Sequence, residues 1–498
     1  MGVKAALSVL YAKQQIHLRS KWVRSPLDTQ IKWMKHLVAQ GKYTVYGKDK
    51  GVGDITDHRA WRDSIPVVDY EGIRPYMERV LEGEQDVLWP GRPLYVAKTS
   101  GTTSGAKYIP LTEESMPFHI RSAKMALLSY IHESGNTEFV DGKMLFLQGS
   151  PALTEQNGLK IGRLSGITAH HVPAYLQRNR VPTLETNLIE DWEQKVMAIV
   201  KETSVQDMRL ISGIPSWMQM YFEKLLEHSG KETVKEVFPN FSLMVHGGVN
   251  YRPYQNRFLE LIGAEVDNLE LYPASEGFIA YQDTLDQEGL LLELNSGIFY
   301  EFIPADEFFN DEPKRLWLDE IELGVNYVLI INSVAGLWGY NIGDTVKFVS
   351  KDPYRIVVTG RIKHFTSAFG EHVIAEEVER AMEEASKALD IVVSEFHVAP
   401  EIHPQEGLPY HEWFIEMEER PSDIEDLTRL LEKSMVAQNP YYRDLIEGKV
   451  LRPLVIRVLP SGSFKRMMES RGKLGGQNKV PRLANDRKIA DLLTGSKA

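Results

Sequence analysis

A segment rich in glycine and hydroxyl side chains, residues 99–107, has the composition of an anion-binding loop. It reads Thr-Ser-Gly-Thr-Thr-Ser-Gly-Ala-Lys and follows an apolar segment, 94–97, that predicts a strand. Glycines let successive backbone N–H groups turn toward one anion, and hydroxyl groups add hydrogen-bond donors. Lys107 adds a compact positive charge that suits phosphate. Ordinary surface turns share this composition, so the segment by itself leaves both interpretations open.

The spacing of these residues argues against a P-loop kinase or ATPase. A P-loop has four residues between its glycines and then a Lys-Ser or Lys-Thr pair. Here three residues separate Gly101 from Gly105, and Tyr108 follows Lys107. The residues that would hold a phosphate group are Thr99, Ser100, Gly101, Thr102, Thr103 and Lys107.

Two carboxylates follow or precede predicted strands in positions that suit a nucleotide. Ser275 and Glu276 lie in the exit loop of a predicted strand, 269–272, and Asp344 follows Gly343 in a predicted turn before a strand. A carboxylate can hold Mg²⁺ or accept hydrogen bonds from ribose hydroxyls. Taken singly, Glu276 is also explained as a loop carboxylate and Asp344 as a turn-forming residue.

A late lysine supplies a further cation. Lys479 lies in segment 472–482, which is basic and too glycine-rich for a helix. That segment is either a solvated terminus or a loop that carries Lys479 to an anion. A phosphate loop, two carboxylates and a mobile cation together favour ATP bound between two domains.

The adjacent histidines His170 and His171 raise the question of a metal site. Neighbours in sequence point apart on a strand or helix, and no carboxylate stands at ligand spacing. We therefore favour loop or pocket-lining histidines over metal ligands.

Alternating strand and helix patterns predict an α/β architecture with a largely parallel sheet. A strand is predicted at 144–147, segment 210–215 is predicted to run from a strand into a helix, and segment 243–248 from a strand into a glycine turn. Helices are predicted at 188–200 and 254–262. In such sheets ligands bind beyond the carboxyl ends of the strands. We expect the glycine-bearing exits near residues 99, 247 and 275 to line one crevice, which includes Gly247 and Gly248.

From residue 290 the pattern changes to strands and turns. The segment Asn295–Gly297 predicts a hairpin between strands 290–294 and 298–303. We place the domain boundary at a hinge, about 360–364, between an N-terminal ATP and acyl-substrate domain, 1–360, and a compact α+β lid, 361–498. The elements predicted for the lid are helix 375–389, strands 391–399 and 413–417, helix 424–436 and strand 454–459.

Composition limits the class of protein. The chain has 498 residues, 43% of them hydrophobic, a net charge of −12 and no cysteine. Its length predicts more than one domain, and its acidity argues against binding nucleic acid. The absence of cysteine excludes disulfides and thiolate chemistry and fits a reducing compartment. We find no signal peptide or membrane-spanning run, so a soluble cytoplasmic protein is expected.

Five segments, in order, resemble motifs of the Gretchen Hagen 3 family of acyl acid–amido synthetases, within the adenylate-forming superfamily. These segments are Thr99–Lys107, Tyr272–Gly277, Gly336–Asp344, Gly360-Arg361 and Gln477–Arg482. They are similar to the family's phosphate loop, its Tyr-x-x-Ser-Glu-Gly motif, its Gly-Leu-Tyr-Arg-Tyr-Arg-x-Gly-Asp segment, its Gly-Arg before the hinge and its closing Gln-x-Lys-x-Pro-Arg. Without plant-length insertions, the chain resembles a bacterial branch.

The resemblance implies a large N-terminal adenylate-forming domain with mixed and parallel sheets, and a smaller α+β C-terminal lid. It implies that ATP and a carboxylic acid form an acyl-adenylate and pyrophosphate, and that an amine, usually an amino acid, then displaces AMP. It places Tyr272 near adenine, Asp344 and Arg361 at the ribose, Glu276 at Mg²⁺, and Lys479 at the α-phosphate in one lid orientation. Lys107 and the loop amides would stabilise pyrophosphate.

Two departures from the family pattern and two rival functions remain at this point. Gly339 and Asn341 stand where plant members often carry Arg, so anion contacts from those side chains are in doubt. In the phosphate loop, Gly105 lies one position later than in many acyl-CoA ligases, although Lys107 keeps its distance from Thr103. An acyl-CoA ligase would share the first half-reaction, and an ATP-binding protein would show no turnover. For the acyl pocket the candidates are Trp217, Met218, His246 and Trp338, which are equally explained as core residues. The sequence leaves the acid, the amine and the oligomeric state open.

Overall fold

A computed structural model describes most of the chain. The residues described are 3–102, 105–172, 177–189, 191–248, 251, 254–305, 307–308, 310, 312–362, 365–366, 368–369, 371, 373–417, 424–470, 480 and 482–495.

Strands run through the whole chain from residue 95 onward. In chain order they are β1 Tyr95–Thr102, β2 Gly105–Leu111, β3 Lys143–Phe146, β4 Thr154–Gln156, β5 Leu159–Gly162, β6 Arg180–Val181, β7 Met208–Gly213, β8 Leu243–Gly247, β9 Asp267–Ala274, β10 Gly277–Tyr281, β11 Leu290–Leu292, β12 Ile298–Pro304, β13 Asn326–Ser333, β14 Leu337–Lys351, β15 Tyr354–Arg361, β16 Phe365–Thr366, β17 Val373–Ile374, β18 Val393–Glu401, β19 Tyr410–Met417 and β20 Val455–Leu459.

Helices precede the first strand and then alternate with later ones. In chain order they are α1 Val3–Val23, α2 Pro26–Gly41, α3 Val45–Asp49, α4 His58–Ser64, α5 Tyr70–Leu81, α6 Met116–Ser134, α7 Leu164–Ala169, α8 Leu184–Asn187, α9 Trp192–Thr203, α10 Pro215–Ser229, α11 Val234–Val237, α12 Gln255–Ile262, α13 Ala375–Leu389, α14 Ile424–Gln438, α15 Pro440–Glu447, α16 Ser463–Ser470 and α17 Lys488–Thr494, with 3₁₀ turns at Val52–Asp54 and Glu138–Asp141. No helix among the described residues is long and apolar enough to cross a membrane; a cytoplasmic location stays a prediction.

One large sheet organises the first 361 residues. Its strand order is β12-β13-β14-β15-β11-β10-β9-β8-β7-β3-β6. The five strands β9, β8, β7, β3 and β6, which are neighbours at one end of this order, pair parallel. The other neighbours in the sheet, beginning with β9 and β10, pair antiparallel. Helix crossovers join the parallel strands, whereas a tight turn joins β9 to β10 and can only reverse the chain. The α/β prediction is therefore confirmed, with a mixed sheet rather than a largely parallel one.

Helices cover both faces of the parallel half. On one face α1 and α6 pack with Leu210, Leu243 and Leu269, and on the other α10 and α12 pack with Ile211 and Met244. The alternation along each strand sends successive side chains to opposite faces, so both faces bury apolar groups. This coverage leaves the carboxyl ends of the parallel strands open at one edge of the sheet.

The hairpin predicted at Asn295–Gly297 is wrong. The strand before it, β11, pairs with β10 and β15, whereas β12 pairs with β13 at the end of the sheet. The buried side chain of Gln30 on α2 takes the backbone hydrogen bonds of this region instead. Its Nε2 donates to the carbonyls of Leu294 at 3.1 Å and Ile298 at 2.9 Å, and its Oε1 accepts from the N–H of Tyr300 at 2.8 Å.

The C-terminal part is a three-stranded sheet, β18-β19-β20, with helices on both faces. Apolar residues of α13, α14 and α15 pack on one face, and those of α16 and α17 pack on the other. The helix predicted at 375–389 has the predicted bounds, and the other predicted elements differ by a few residues at their ends. The division at residue 360 stays a prediction, and Lys363 and His364 of the predicted hinge lie outside the described residues.

Candidate active site

A cavity of about 2490 Å³ lies between the large sheet and the C-terminal part. The three predicted strand exits meet there, because Thr99, Gly247, Gly248 and Ser275 all line its wall. The first exit belongs to a separate four-stranded sheet, β2-β1-β5-β4, and the other two belong to the large sheet. The expectation of one shared crevice is confirmed, and the roles of these residues toward a ligand stay predictions.

The predicted phosphate loop is part of a β-hairpin. The register places Thr99 opposite Lys107 and Thr102 opposite Gly105, with an irregularity between Thr99 and Thr102 that also contains Ser100 and Gly101. The side chains of Thr99 and Lys107 both line the cavity. A hydroxyl and an ammonium group therefore face the same space from opposite strands. Thr103 lies outside the described residues.

The predicted Mg²⁺ carboxylate stands at a tight turn. Gly277 pairs with Ala274, so Ser275 and Glu276 are the two turn residues between β9 and β10. Both line the cavity. Turn residues carry their side chains at the rim of a sheet, which leaves Glu276 able to face a ligand within the cavity.

Tyr272 and Asp344, predicted at adenine and ribose, lie side by side. The hydroxyl of Tyr272 donates a hydrogen bond to Oδ2 of Asp344 at 2.5 Å, and both residues line the cavity. Asp344 is only 8% exposed. The register places Arg361 directly opposite Asp344 on β15. A buried carboxylate, a phenol and the start of the predicted hinge therefore meet at one point.

Asp344 does not lie in a turn before a strand, as the sequence suggested. It lies within β14, at an irregularity in which Asn341 pairs with Ile330 and Thr345 pairs with Val328. The extra residues of β14 form a bulge, because Oδ1 of Asn341 accepts from the N–H of Gly343 at 2.8 Å. The bulge turns Asp344 toward the cavity.

Gly339 marks a close approach of two backbones. Its φ is +56°, and a Cβ there would lie 2.1 Å from the carbonyl oxygen of Pro66. Its carbonyl accepts from the N–H of Val68 at 2.9 Å. This site admits no arginine without rearrangement, and nearby Asn341 uses its side chain to shape the bulge. The side chains at positions 339 and 341 therefore do not supply the anion contacts that arginine would supply there.

Gly247 is a second place where only glycine fits. A Cβ there would lie 2.2 Å from the carbonyl oxygen of Leu271 on β9. The end of β8 therefore runs against the backbone of β9, next to Tyr272.

The four acyl-pocket candidates separate into two pairs. Trp217 and His246 line the cavity. Met218 and Trp338 are fully buried core residues, and Trp338 stacks on Tyr46 with ring centroids 5.6 Å apart. Burial lowers the pKa of His246 to about 4, so its ring is neutral at pH 7.

The adjacent histidines contact different partners. Nε2 of His170 lies 2.9 Å from the carbonyl oxygen of Pro151, and Nε2 of His171 lies 3.2 Å from the hydroxyl of Tyr95. Within the described residues there is no group of three or more potential metal ligands of the His, Cys, Asp or Glu type.

The sequence did not predict the residues that the C-terminal part brings to the cavity. Tyr441 on α15 donates its hydroxyl to the carbonyl of Lys98 at 3.2 Å, next to Thr99. Asp444 on the same helix forms an ion pair with Arg163. These contacts join segments far apart in the chain, so no local sequence pattern predicts them. Lys479, the lysine predicted to act there, lies outside the described residues.

Family models identify the chain. Models of the GH3 family N-terminal, central and C-terminal domains match residues 16–198, 291–361 and 376–488. The chain belongs to the GH3 family. The resemblance to this family drawn from the motifs is thereby confirmed.

Curated relatives of this GH3 chain are similar over almost its whole length. Jasmonoyl–L-amino acid synthetase JAR4 of Nicotiana attenuata is 22% identical, over 93% of this chain and 92% of that protein. Indole-3-acetic acid-amido synthetase GH3.3 of Arabidopsis thaliana is 21% identical, over 93% of this chain and 90% of that protein. Both relatives are named as enzymes that join an acid to an amine.

Solved structures share the fold of this GH3 chain. The GH3.15 acyl acid amido synthetase superposes with a TM-score of 0.62 at 16% identity, covering 96% of this chain and 95% of that chain. A 2-hydroxyisobutyryl-CoA ligase, solved with 2-HIB-AMP and CoA, has a TM-score of 0.56 at 11% identity, covering 94% and 91%. The fold therefore occurs with amide-forming and thioester-forming enzymes alike.

Proposed function

We propose that this chain is an ATP-dependent acyl acid–amido synthetase, which activates a carboxylic acid and transfers the acyl group to the amine of an amino acid. The observation that carries the proposal is the meeting of Thr99, Lys107, Glu276 and the Tyr272–Asp344 pair around one cavity. The amido synthetases among its GH3 relatives support the same reaction.

ATP fits the donors and acceptors of this cavity. Lys107 and Thr99 would contact the phosphates from the hairpin, because an ammonium and a hydroxyl are both donors to phosphate oxygens. Asp344 would accept hydrogen bonds from ribose hydroxyls, with Arg361 opposite it and Tyr272 beside adenine. Gly247 and Gly248 would leave room for the flat base at the cavity wall.

Glu276 would hold Mg²⁺ together with phosphate oxygens of ATP. Mg²⁺ is commonly bound by one or two carboxylates plus substrate phosphates, so a single turn carboxylate fits this mode. When bound, Mg²⁺ neutralises charge on the leaving pyrophosphate.

The reaction then needs positioning more than a protein nucleophile. A carboxylate oxygen of the acid attacks the α-phosphorus as the bond to pyrophosphate breaks, giving an acyl-adenylate. The amine nitrogen next attacks the acyl carbonyl carbon, loses a proton and displaces AMP. Lys107 stabilises the departing charge, and we assign Lys479 to the α-phosphate in one orientation of the C-terminal part.

An acyl-CoA ligase is the rival function, because a solved ligase of that type has the same fold. Both enzymes release pyrophosphate and AMP, and they differ in the acceptor. A non-catalytic ATP-binding protein would release neither.

A matrix of carboxylic acids against amino acids and CoA tests the proposal. We expect acid-dependent pyrophosphate and AMP release, with an amide as the product in mass spectrometry. A thioester in place of an amide would establish the rival ligase. No pyrophosphate release with any acid would contradict both enzymatic functions.

A Lys479→Ala variant tests the role given to that lysine. We expect it to lower carboxylate-dependent ATP–pyrophosphate exchange severely. Unchanged exchange would remove Lys479 from the adenylation step.

A further inference from the structure

An ion pair between the two parts of the chain closes one side of the cavity. The guanidinium group of Arg163 pairs with the carboxylate of Asp444 on α15, and both residues line the cavity. Their side chains are 39% and 41% exposed, so the pair lies at the mouth and not in a core. Neither residue has a role in the adenylation step described above.

The stem of Arg163 packs in the N-terminal part of the chain, and its guanidinium group contacts α15. Arg163 precedes α7 as its N-cap residue. A Cβ on Gly149 would lie 3.2 Å from Cδ of Arg163, so the arginine stem packs against that glycine. The guanidinium carbon lies 5.2 Å from the ring centroid of Tyr441. The planar guanidinium fork is suited to a carboxylate, which it can bind through two parallel hydrogen bonds.

A second cation reinforces the positive potential. Lys195 is 2% exposed, and its Nζ donates to the carbonyls of Gln148 at 3.2 Å and Asn187 at 2.8 Å. Burial, with a smaller contribution from the Arg163 charge, lowers the pKa of Lys195 to about 8, so it remains mostly protonated at pH 7. Asp191 also lines the cavity, but its Oδ1 caps α9 by accepting from the N–H of Gln194.

We propose that Arg163 binds the α-carboxylate of the amino acid acceptor, and that Asp444 occupies that position in the orientation of the C-terminal part seen in this structure. The inference rests on the proposed function. Asp444 and an amino acid present the same group, a carboxylate, to the same guanidinium fork. Movement of α15 away from the cavity removes Asp444 and frees Arg163 to hold the acceptor with its amine directed at the acyl carbonyl.

Two variants, with opposite expected effects on the KM for the amino acid, test whether Asp444 and the acceptor carboxylate compete for Arg163. Acceptor kinetics are measured with amino acids and their α-amides, beginning with L-alanine and L-alaninamide, which differ only in the carboxylate. For Arg163→Gln we expect the KM for the amino acid to rise about tenfold or more, because a charged hydrogen-bonding partner is lost. The preference for the amino acid over its amide should largely disappear.

For Asp444→Asn we expect the opposite sign. Removing the competing carboxylate should lower the KM for the amino acid about two- to fivefold, in keeping with an exposed ion pair. Arg59→Gln and Asp319→Asn remove the same charges at exposed sites outside the cavity, and serve as matched controls for each variant.

The outcomes separate the inference from the function on which it rests. A rise in KM for both Arg163→Gln and Asp444→Asn would mean that the pair only fastens the two parts together, and would overturn the inference. The inference would also be overturned if Arg163→Gln changed the KM for the carboxylic acid, measured by ATP–pyrophosphate exchange, and left the KM for the amino acid acceptor unchanged. Absence of exchange in the unaltered chain would overturn the proposed function and this inference with it.

Discussion

The hydrogen bond between Tyr272 and Asp344 is the most informative contact at the scale of single residues. The two are 72 residues apart in sequence and lie on strands β9 and β14. The sequence predicted both as nucleotide contacts from separate motifs. The structure places the two side chains in contact, and the hydrogen bond orients the Asp344 carboxylate before a ribose binds. Such pre-orientation reduces the entropy lost when a ligand binds.

Asp344→Asn tests the ribose role. The substitution keeps the size of the side chain and removes its charge, so we expect the KM for ATP to rise about tenfold or more. ATP–pyrophosphate exchange at varied ATP concentration measures this effect. Asp319→Asn, at an exposed carboxylate outside the cavity, is the control. An unchanged KM for ATP in the Asp344 variant would exclude a ribose contact.

Buried neutral histidines predict how stability depends on pH. Burial lowers the pKa of both His119 and His246 to about 4. Below a pH of about 6.5 the unfolded chain takes up protons that the folded chain does not, so stability falls as the pH drops from about 6.5 to about 4. For His119 the loss is about 3 kcal/mol.

His119→Gln separates this effect from other acid titrations. We expect its urea midpoint to fall less between pH 7 and pH 5 than that of the unaltered chain. Equal decreases in both proteins would show that His119 already accepts a proton in the folded state above pH 5.

At the scale of elements, sequence patterns predicted those helices whose bounds depend on neighbouring residues. Helix α13 has the bounds predicted for it from the sequence, 375–389. Patterns failed where a distant group decides the backbone. The Asn295–Gly297 turn does not form a hairpin because Gln30, some 260 residues earlier, takes its hydrogen bonds. The bulge at Asp344 depends likewise on strand register that no short window contains.

Gly339→Ala tests the close approach within β14. Alanine there would suffer both the cost of a positive φ and a clash with the carbonyl of Pro66. Gly135→Ala is the matched control, because Gly135 has φ +68° and nothing within 4 Å of an added Cβ. We expect Gly339→Ala to lower the melting temperature clearly more than Gly135→Ala. Equal decreases in melting temperature would show that the backbone at Pro66 moves to admit the added Cβ without loss of stability.

At the scale of the whole molecule, the site exists only when both parts of the chain are assembled. The hairpin, the β9–β10 turn and β14 form one side of the cavity, and α15 with the end of β18 forms the other. Tyr254 also donates its hydroxyl to the carbonyl of Ala368 at 2.7 Å, which joins the two sides. The separate motifs could be read from the sequence, but pairs such as Arg163 and Asp444, 281 residues apart, could not.

Hydrogen exchange tests the shared cavity directly. A non-hydrolysable acyl-adenylate analogue should slow amide exchange at β1–β2, at the β9–β10 turn and on α15, because one ligand would contact or bridge all three. Peptides from α1, which does not line the cavity, should exchange as before. Protection of the N-terminal elements without any change on α15 would contradict a cavity shared by the two parts.

The hydrogen bonds of Gln30 also bear on how the chain avoids aggregation. A sheet edge with bare N–H and C=O groups is a template for pairing with another chain. At one end of the large sheet, Gln30 occupies the outward backbone groups of β12 and a bridge from Leu316 occupies those of Phe302. At the other end, β6 has only two residues, Arg180 and Val181. Both edges of this eleven-stranded sheet are thus poor templates for recruiting a further strand.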